Sequence, residues 1–280
     1  MSYRQIQPPF PVSTFVQCYW LLEDDSPPQS SVQRIVPDGC PELILNLGRP
    51  FEGQKEGRWY SQPQFFFAGQ ITRPMFIRSN GAAKVLGVRF HPFGARRILK
   101  VSAHETTDLL LPLEDVAPRL YRKLHHLFEL DSTPQQLAFV DQVLRETSLG
   151  KEDSQVEAAV NWITSSPIVA DLDRVATIAN LSVRQFQRRF KDEVGMSPKL
   201  FCRIQRFQRV FQALNIPNSS WVDAALHCGY YDQSHLIRDF KDFSAETPAV
   251  LLAAESDLAV HFLQNSGMSH FSNTARDNSL

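Results

Sequence analysis

Arg184, Gln187, Arg188 and Lys191 stand at i, i+3, i+4 and i+7, the spacing that lines side chains along one face of an α-helix. Arginine offers a rigid fork of donors, glutamine a donor beside an acceptor, and lysine a mobile point charge. Such a set suits the edges of base pairs: the guanidinium matches guanine N7 and O6, the carboxamide matches adenine N6 and N7, and both cations meet phosphate. Gln185, in the first turn, is counted with them. A lone charged face is usually only a solvated one, so the spacing needs independent support.

That support is a repeat. Phe186-Gln187-Arg188-Arg189-Phe190-Lys191-Asp192 returns as Leu236-Ile237-Arg238-Asp239-Phe240-Lys241-Asp242, 50 residues later, and the copies close on Ser197-Pro198 and Thr247-Pro248. Each copy reads as a helix-turn-helix. Ser182 and Asp232 are placed to cap the second helix of each copy, Asp171 the first helix of the first copy, and Asn180 and Gly229 sit where the turns need left-handed backbone. Val183, Phe186, Phe190 and Val194 face inward in the first copy; Leu236, Phe240 and Phe243 do so in the second. The outward stripe of the second copy is Ser234, Ile237, Arg238 and Lys241, with Gln233 in the first turn and His235 able to face either way. Ile237 replaces a hydrogen-bonding residue, so this helix is expected to read bases less strictly and to lean on phosphate. Between the copies, Ser197-Pro198 opens a helix to Leu214 with a stripe of Leu200, Ile204, Phe207, Phe211 and Leu214. Its 17 residues span about 25 Å, a rod able to hold two probes roughly one DNA turn apart. Arg203, Arg206 and Arg209 either meet phosphate or pair with Asp223 or Asp239.

The elements that hold these residues follow from composition. The 280 residues carry a net charge of −1 and are 43% hydrophobic, which suits about two folded domains and not a chain that coats nucleic acid everywhere. Charge is instead local: between Arg184 and Arg209 eight cations face two anions. No stretch approaches a membrane span and the start lacks a signal-peptide pattern, so a cytoplasmic protein is expected. Strand-like runs at 15–22, 42–47, 65–68 and 84–90 are separated by turns at Pro37-Asp38-Gly39, Asn46 to Pro50 and Asn80-Gly81, which predicts an antiparallel barrel or sandwich. Helical patterns follow at 95–99, through Leu120, Leu124 and Leu127, and over 133–146. The fold class expected is therefore α+β, with an all-α carboxy-terminal part. Boundaries are placed at 1–147, a linker at 148–155, a double helix-turn-helix at 156–263 and a disordered tail at 264–280.

With these residues in view, the segment from about 156 to 257 resembles the AraC/XylS family of transcription regulators, on Ser182 to Phe190, Gly195-Met196-Ser197-Pro198 and Cys228-Gly229-Tyr230-Tyr231-Asp232-Gln233-Ser234-His235. Ala245 departs from the glycine usual in that family. Val36 to Leu43 and Gly69 to Pro74 are similar to a poorly characterised sensor domain found ahead of this reader, which implies a cupin-like barrel. The resemblance implies double-stranded DNA and RNA polymerase as partners, a small-molecule effector sensed by the barrel or a homodimer made by it, and no cofactor.

Catalysis is the competing class. Outside the helical His125-His126 pair, the amino-terminal half offers only His91 and His104, too few for a cupin-type metal centre. Cys40, in an Asp-Gly turn beside Glu42, is either a small turn residue or a reactive thiol of the kind fused to this reader in DNA-repair regulators. Tyr19, Trp20 and Phe65 to Phe67 either line an effector pocket or pack a core. The four cysteines have no paired spacing for a disulfide framework or zinc site.

Overall fold

A computed structural model describes residues 2–25, 32–148, 155–166, 171–214 and 225–253. The expected tail at 264–280, most of the expected linker, and Asp223 lie outside the described residues. No helix among those described is long and apolar enough to cross a membrane.

The amino-terminal lobe is two antiparallel sheets laid face to face. The larger has the order β1 (Ser2–Ile6), β2 (Val16–Asp24), β9 (Ala83–Phe90), β4 (Glu42–Asn46), β7 (Phe65–Ala68), β10 (Leu110–Pro112); the smaller has β3 (Val32–Ile35), β8 (Met75–Arg78), β5 (Glu52–Lys55), β6 (Arg58–Ser61). The sheets stay open at their edges among the described residues, so the arrangement is a sandwich and not a closed barrel. Strand alternation assigns the two faces of the large sheet. Tyr19, Leu21, Leu43, Leu45, Phe65, Phe67, Leu86 and Val88 point to a layer of helices, whereas Trp20, Leu22, Ile44, Phe66 and Val85 point to the small sheet. The open alternative for the aromatic run thus divides by register: Trp20 and Phe66 face the space between the sheets, while Tyr19, Phe65 and Phe67 pack the core beneath.

The four expected strands are the four central ones of the large sheet. After the short helices α1 (Ala103–Thr106) and α2 (Leu113–Val116), the helical layer holds α3 (Pro118–Leu124), a 3-10 turn over His125–Glu129 and α4 (Thr133–Thr147), with Leu120, Leu124 and Leu127 buried. The pattern at 95–99 is a shorter 3-10 helix, Gly94–Arg97.

The carboxy-terminal lobe holds α5 (Glu157–Ser165), α6 (Leu172–Ile178), α7 (Val183–Val194), α8 (Pro198–Leu214), α9 (Gln233–Ser244) and α10 (Pro248–Ala253). Val160, Ile163, Val175, Phe186, Phe207 and Phe240 belong to one core, which also takes in Val36 and Phe93 from the other lobe. On α8, Phe201 and Val210 are buried beside the expected Ile204, Phe207 and Phe211, while Leu200 is half-buried. So wide an apolar band means that α8 is covered on two sides.

The second cover is the loop 36–41. Gln205 Nε2 donates to the Asp38 carbonyl at 2.9 Å and Gln208 Nε2 to the Pro37 carbonyl at 2.5 Å. Gly39 has φ +86°, and a Cβ there would stand 2.7 Å from both Gln205 Nε2 and Phe201 Cε2. Further contacts reach the ends of the repeat helices. Thr107 Oγ1 donates to the Gly195 carbonyl at 2.8 Å, and Ser102 and Arg96 bind the Asp192 carboxylate in the last turn of α7; Arg34 pairs with Glu246 at 3.5 Å after α9.

Candidate nucleic-acid interface

α7 forms where it does because both ends are specified. Ser182 Oγ accepts from the Gln185 amide at 3.4 Å while Gln185 Oε1 accepts from the Ser182 amide at 3.1 Å, a reciprocal cap worth about 1 kcal/mol. Asn180 turns the chain with φ 52°. Phe186, Phe190 and Val194 are buried and Val183 half-buried, with Phe186 edge-on to Phe190 and Phe190 edge-on to Phe201. On the opposite face Arg184, Gln187, Arg188 and Lys191 are exposed, and their side chains make no hydrogen bond or ion pair among the described residues. Gln185 is exposed too, and its amide oxygen is committed to the cap.

α9 repeats the design with differences. Asp232 Oδ1 accepts from the His235 amide at 2.7 Å, and Leu236, Phe240 and Phe243 are buried, the last two against Phe207. Gln233, Ser234, Arg238 and Lys241 are exposed and Ile237 is half-buried. His235 turns inward: Arg206 Nη2 lies 2.9 Å from its Nε2, and its ring stands edge-on to Tyr230. It supports the rod instead of joining the outward stripe.

Asp239 settles two of the three arginines on α8. Its carboxylate, 1% exposed, accepts from Arg203 at 2.7 Å and from Arg206 at 2.9 Å; Arg203 also binds Asp242 at 2.6 Å, and the Arg206 guanidinium lies 4.5 Å from the Tyr230 ring centre. Arg209 donates to the carbonyls of Ile163 and Thr164. These side chains bolt α9 and α5 to the rod, so the phosphate alternative gives way to a structural one.

In the amino-terminal lobe a cavity of about 120 Å³ lies between the sheets, and Gln208 of α8 reaches its wall. Cys40 does not resemble an activated thiol: its Sγ donates to Gln17 Oε1 at 3.2 Å, and burial, then the neighbouring Asp38 carboxylate, push its pKa well up. Burial likewise pushes Cys18 and Cys202 to about 11. Among the described residues no three His, Cys, Asp or Glu side chains cluster as metal ligands.

A helix-turn-helix of α6 and α7, the rod α8, and a second turn at Gly229 leading into the capped α9 follow the repeat; most of the helix expected before that second turn lies outside the described residues. Residues 175–254 match the helix-turn-helix domain family and residues 4–112 a domain of unknown function, DUF6597. The carboxy-terminal region is similar to helix-turn-helix domains of the AraC/XylS type. It is similar to the HTH-type transcriptional regulator MtrA of Neisseria gonorrhoeae, 34% identical over 71 residues, covering 25% of this chain and 24% of MtrA. It is also similar to the HTH-type transcriptional activator RhaS of Escherichia coli O157:H7, 29% identical over 82 residues, covering 29% and 26% of the two chains. The chain thus spans about a quarter of the length of the curated relatives it matches. Among solved structures, ToxT of Vibrio cholerae aligns over 81% of this chain and 98% of its own at 10% identity and a TM-score of 0.47.

Proposed function

We propose that this protein is a sequence-specific DNA-binding transcription regulator that sets α7 and α9 into successive major grooves of one duplex. The observation that carries the reading is the pair of outward stripes, Arg184, Gln187, Arg188, Lys191 and Gln233, Ser234, Arg238, Lys241, all exposed. Arg188 and Gln187 read bases, Lys191 and Lys241 meet phosphate, and Arg238 does either. Ile237 gives the second helix a looser, apolar contact with a thymine methyl.

The two lobes divide at the 148–155 segment. The amino-terminal lobe senses a small molecule in the cavity between its sheets, and on this reading it binds without transforming its ligand. The working partners are duplex DNA, that effector and, at a promoter, RNA polymerase, in the cytoplasm. Footprinting of the full chain on the upstream region of its own gene tests the reading. Two protected patches centred about 10 base pairs apart on one side of the helix are expected. Protection of a single patch, or equal affinity for random duplex at physiological salt, overturns it.

A further inference from the structure

The two ends of the cavity between the sheets differ in how their polar groups are met. At one end Arg89 donates to Glu42 at 2.7 Å and meets Asp38 at 3.2 Å, and Trp20 Nε1 donates to Glu42 at 3.3 Å, so these groups answer one another. Asn46 marks the other end. It stands four residues further along β4, opposite Val85 where Glu42 is opposite Arg89, which is about 13 Å of strand. Asn46 is fully buried and lines the cavity; its Nδ2 donates to the Pro63 carbonyl at 3.0 Å, but Oδ1 has no partner among the described residues. Because that carbonyl can only accept, it fixes which way round the carboxamide sits. A buried acceptor without a donor costs free energy that a ligand can recover.

The surroundings narrow the ligand further. Ile44 shares the face of Asn46 two residues back along β4, Val85 lies across from it, Leu22 lies across from Val85, and all three line the cavity together with Phe51. Gln62, one residue before Pro63, lines it too, and its carboxamide makes no hydrogen bond among the described residues. An open acceptor together with an amide able to donate suits a hydroxyl, which gives one hydrogen bond and takes another. A charged group does not suit: neither carboxamide carries a counter-charge, and an ion leaving water for an apolar wall loses its hydration. The volume of about 120 Å³ sets the size at one ring, since an apolar cavity of about 150 Å³ holds benzene.

We infer that this end of the cavity binds a small neutral aromatic molecule carrying one hydroxyl, with the O–H donating to Asn46 Oδ1 and the ring against Ile44, Phe51 and Val85. The inference rests on the sensing role proposed above and names its ligand class. Gln208 of α8 lines the same cavity while its Nε2 holds the Pro37 carbonyl. One wall of the space that receives the ligand therefore belongs to the DNA-binding lobe.

Isothermal titration of the full chain with phenol, toluene, benzoate and benzylammonium tests the ligand class. Phenol and toluene share a shape and differ by a hydroxyl against a methyl group; the other two put a charge of either sign beside the ring. Phenol is expected to bind one to one, and each charged compound at least about tenfold more weakly. Asn46→Leu keeps the size of the side chain and removes the acceptor. It is expected to move the phenol-to-toluene affinity ratio about tenfold against phenol, the scale of one hydrogen bond to a buried group otherwise unmet. Should that variant fail to fold, Gln62→Leu decides on the same ratio. The inference is overturned if phenol does not bind at millimolar concentration, if benzoate or benzylammonium binds as tightly as phenol, or if the ratio is unmoved in the folded variant. Duplex affinity measured with and without phenol separates this from the broader reading. Phenol binding that leaves DNA affinity unmoved upholds the site and removes the sensing role, whereas failure of phenol to bind removes the site and leaves the footprint to judge DNA recognition by itself.

Discussion

Arg188 is the side chain whose loss is simplest to interpret, because it is exposed and its side chain makes no hydrogen bond or ion pair among the described residues that its removal would break. Arg188→Ala is expected to cost about 1–3 kcal/mol on the cognate duplex and to relax preference at one base pair, with Tm unchanged. A competition assay against single-base variants of the site checks this, and equal weakening on every duplex would assign Arg188 to phosphate. Cys40 yields the opposite expectation. With its thiol held protonated by burial and Asp38, alkylation by iodoacetamide at neutral pH should run at least about tenfold slower than for an unstructured cysteine peptide; a fast reaction would revive the thiol-responder alternative. The outward stripe of α7 was legible because its spacing is local. His235 and Gln185 were not, since their fates depend on an arginine 29 residues away and on a reciprocal cap whose geometry only the folded turn provides.

At the scale of elements, the repeat predicted the caps at Ser182 and Asp232 and the turns at Asn180 and Gly229, but not how the two helices end. Gly195 ends α7 at φ 97°, and Ala245 ends α9 at φ 60°, a region that costs an L-residue roughly 1 kcal/mol. Ala245→Gly should therefore stabilise the carboxy-terminal lobe by about 0.5–1 kcal/mol, measured by chemical denaturation; a destabilisation would mean that the methyl group packs usefully. Asp239→Asn should act in reverse. It leaves Arg206 without a counter-charge and Arg203 with Asp242 alone, and since Arg203 is also 30% exposed and partly hydrated, about 3 kcal/mol is expected, the low end for breaking a buried pair. Footprinting of this variant should lose the patch under α9 before the patch under α7. The strands β1, β3, β5, β6 and β8 were not legible, because their exposed and mixed burial patterns lack the apolar runs that marked the central strands of the large sheet.

At the scale of the whole molecule, the two lobes meet through carbonyls of the 36–41 loop and through the last turns of both repeat helices. Local sequence patterns do not encode such an interface, although the breadth of the apolar band on α8, with Phe201 and Val210 added to the expected stripe, was its one visible trace. Gly39→Ala should weaken it, through a left-handed backbone and a methyl group driven into Phe201 and Gln205. Gly57→Ala is the control, having φ +76° but nothing within 4 Å of its Cβ position. Both should lose about 1 kcal/mol to backbone strain, but only Gly39→Ala should split urea unfolding into two transitions; coincident behaviour of the two variants would show the junction to be dispensable. Because α8 grips the amino-terminal lobe by main-chain oxygens of Pro37 and Asp38, the identity of those two side chains matters less to the junction than the path of the backbone. Chimeric regulators that exchange the sensory half for another should therefore transplant residues 36–41 as a block; a fusion cut only at 148–155 would leave the two glutamines of α8 nothing to hold.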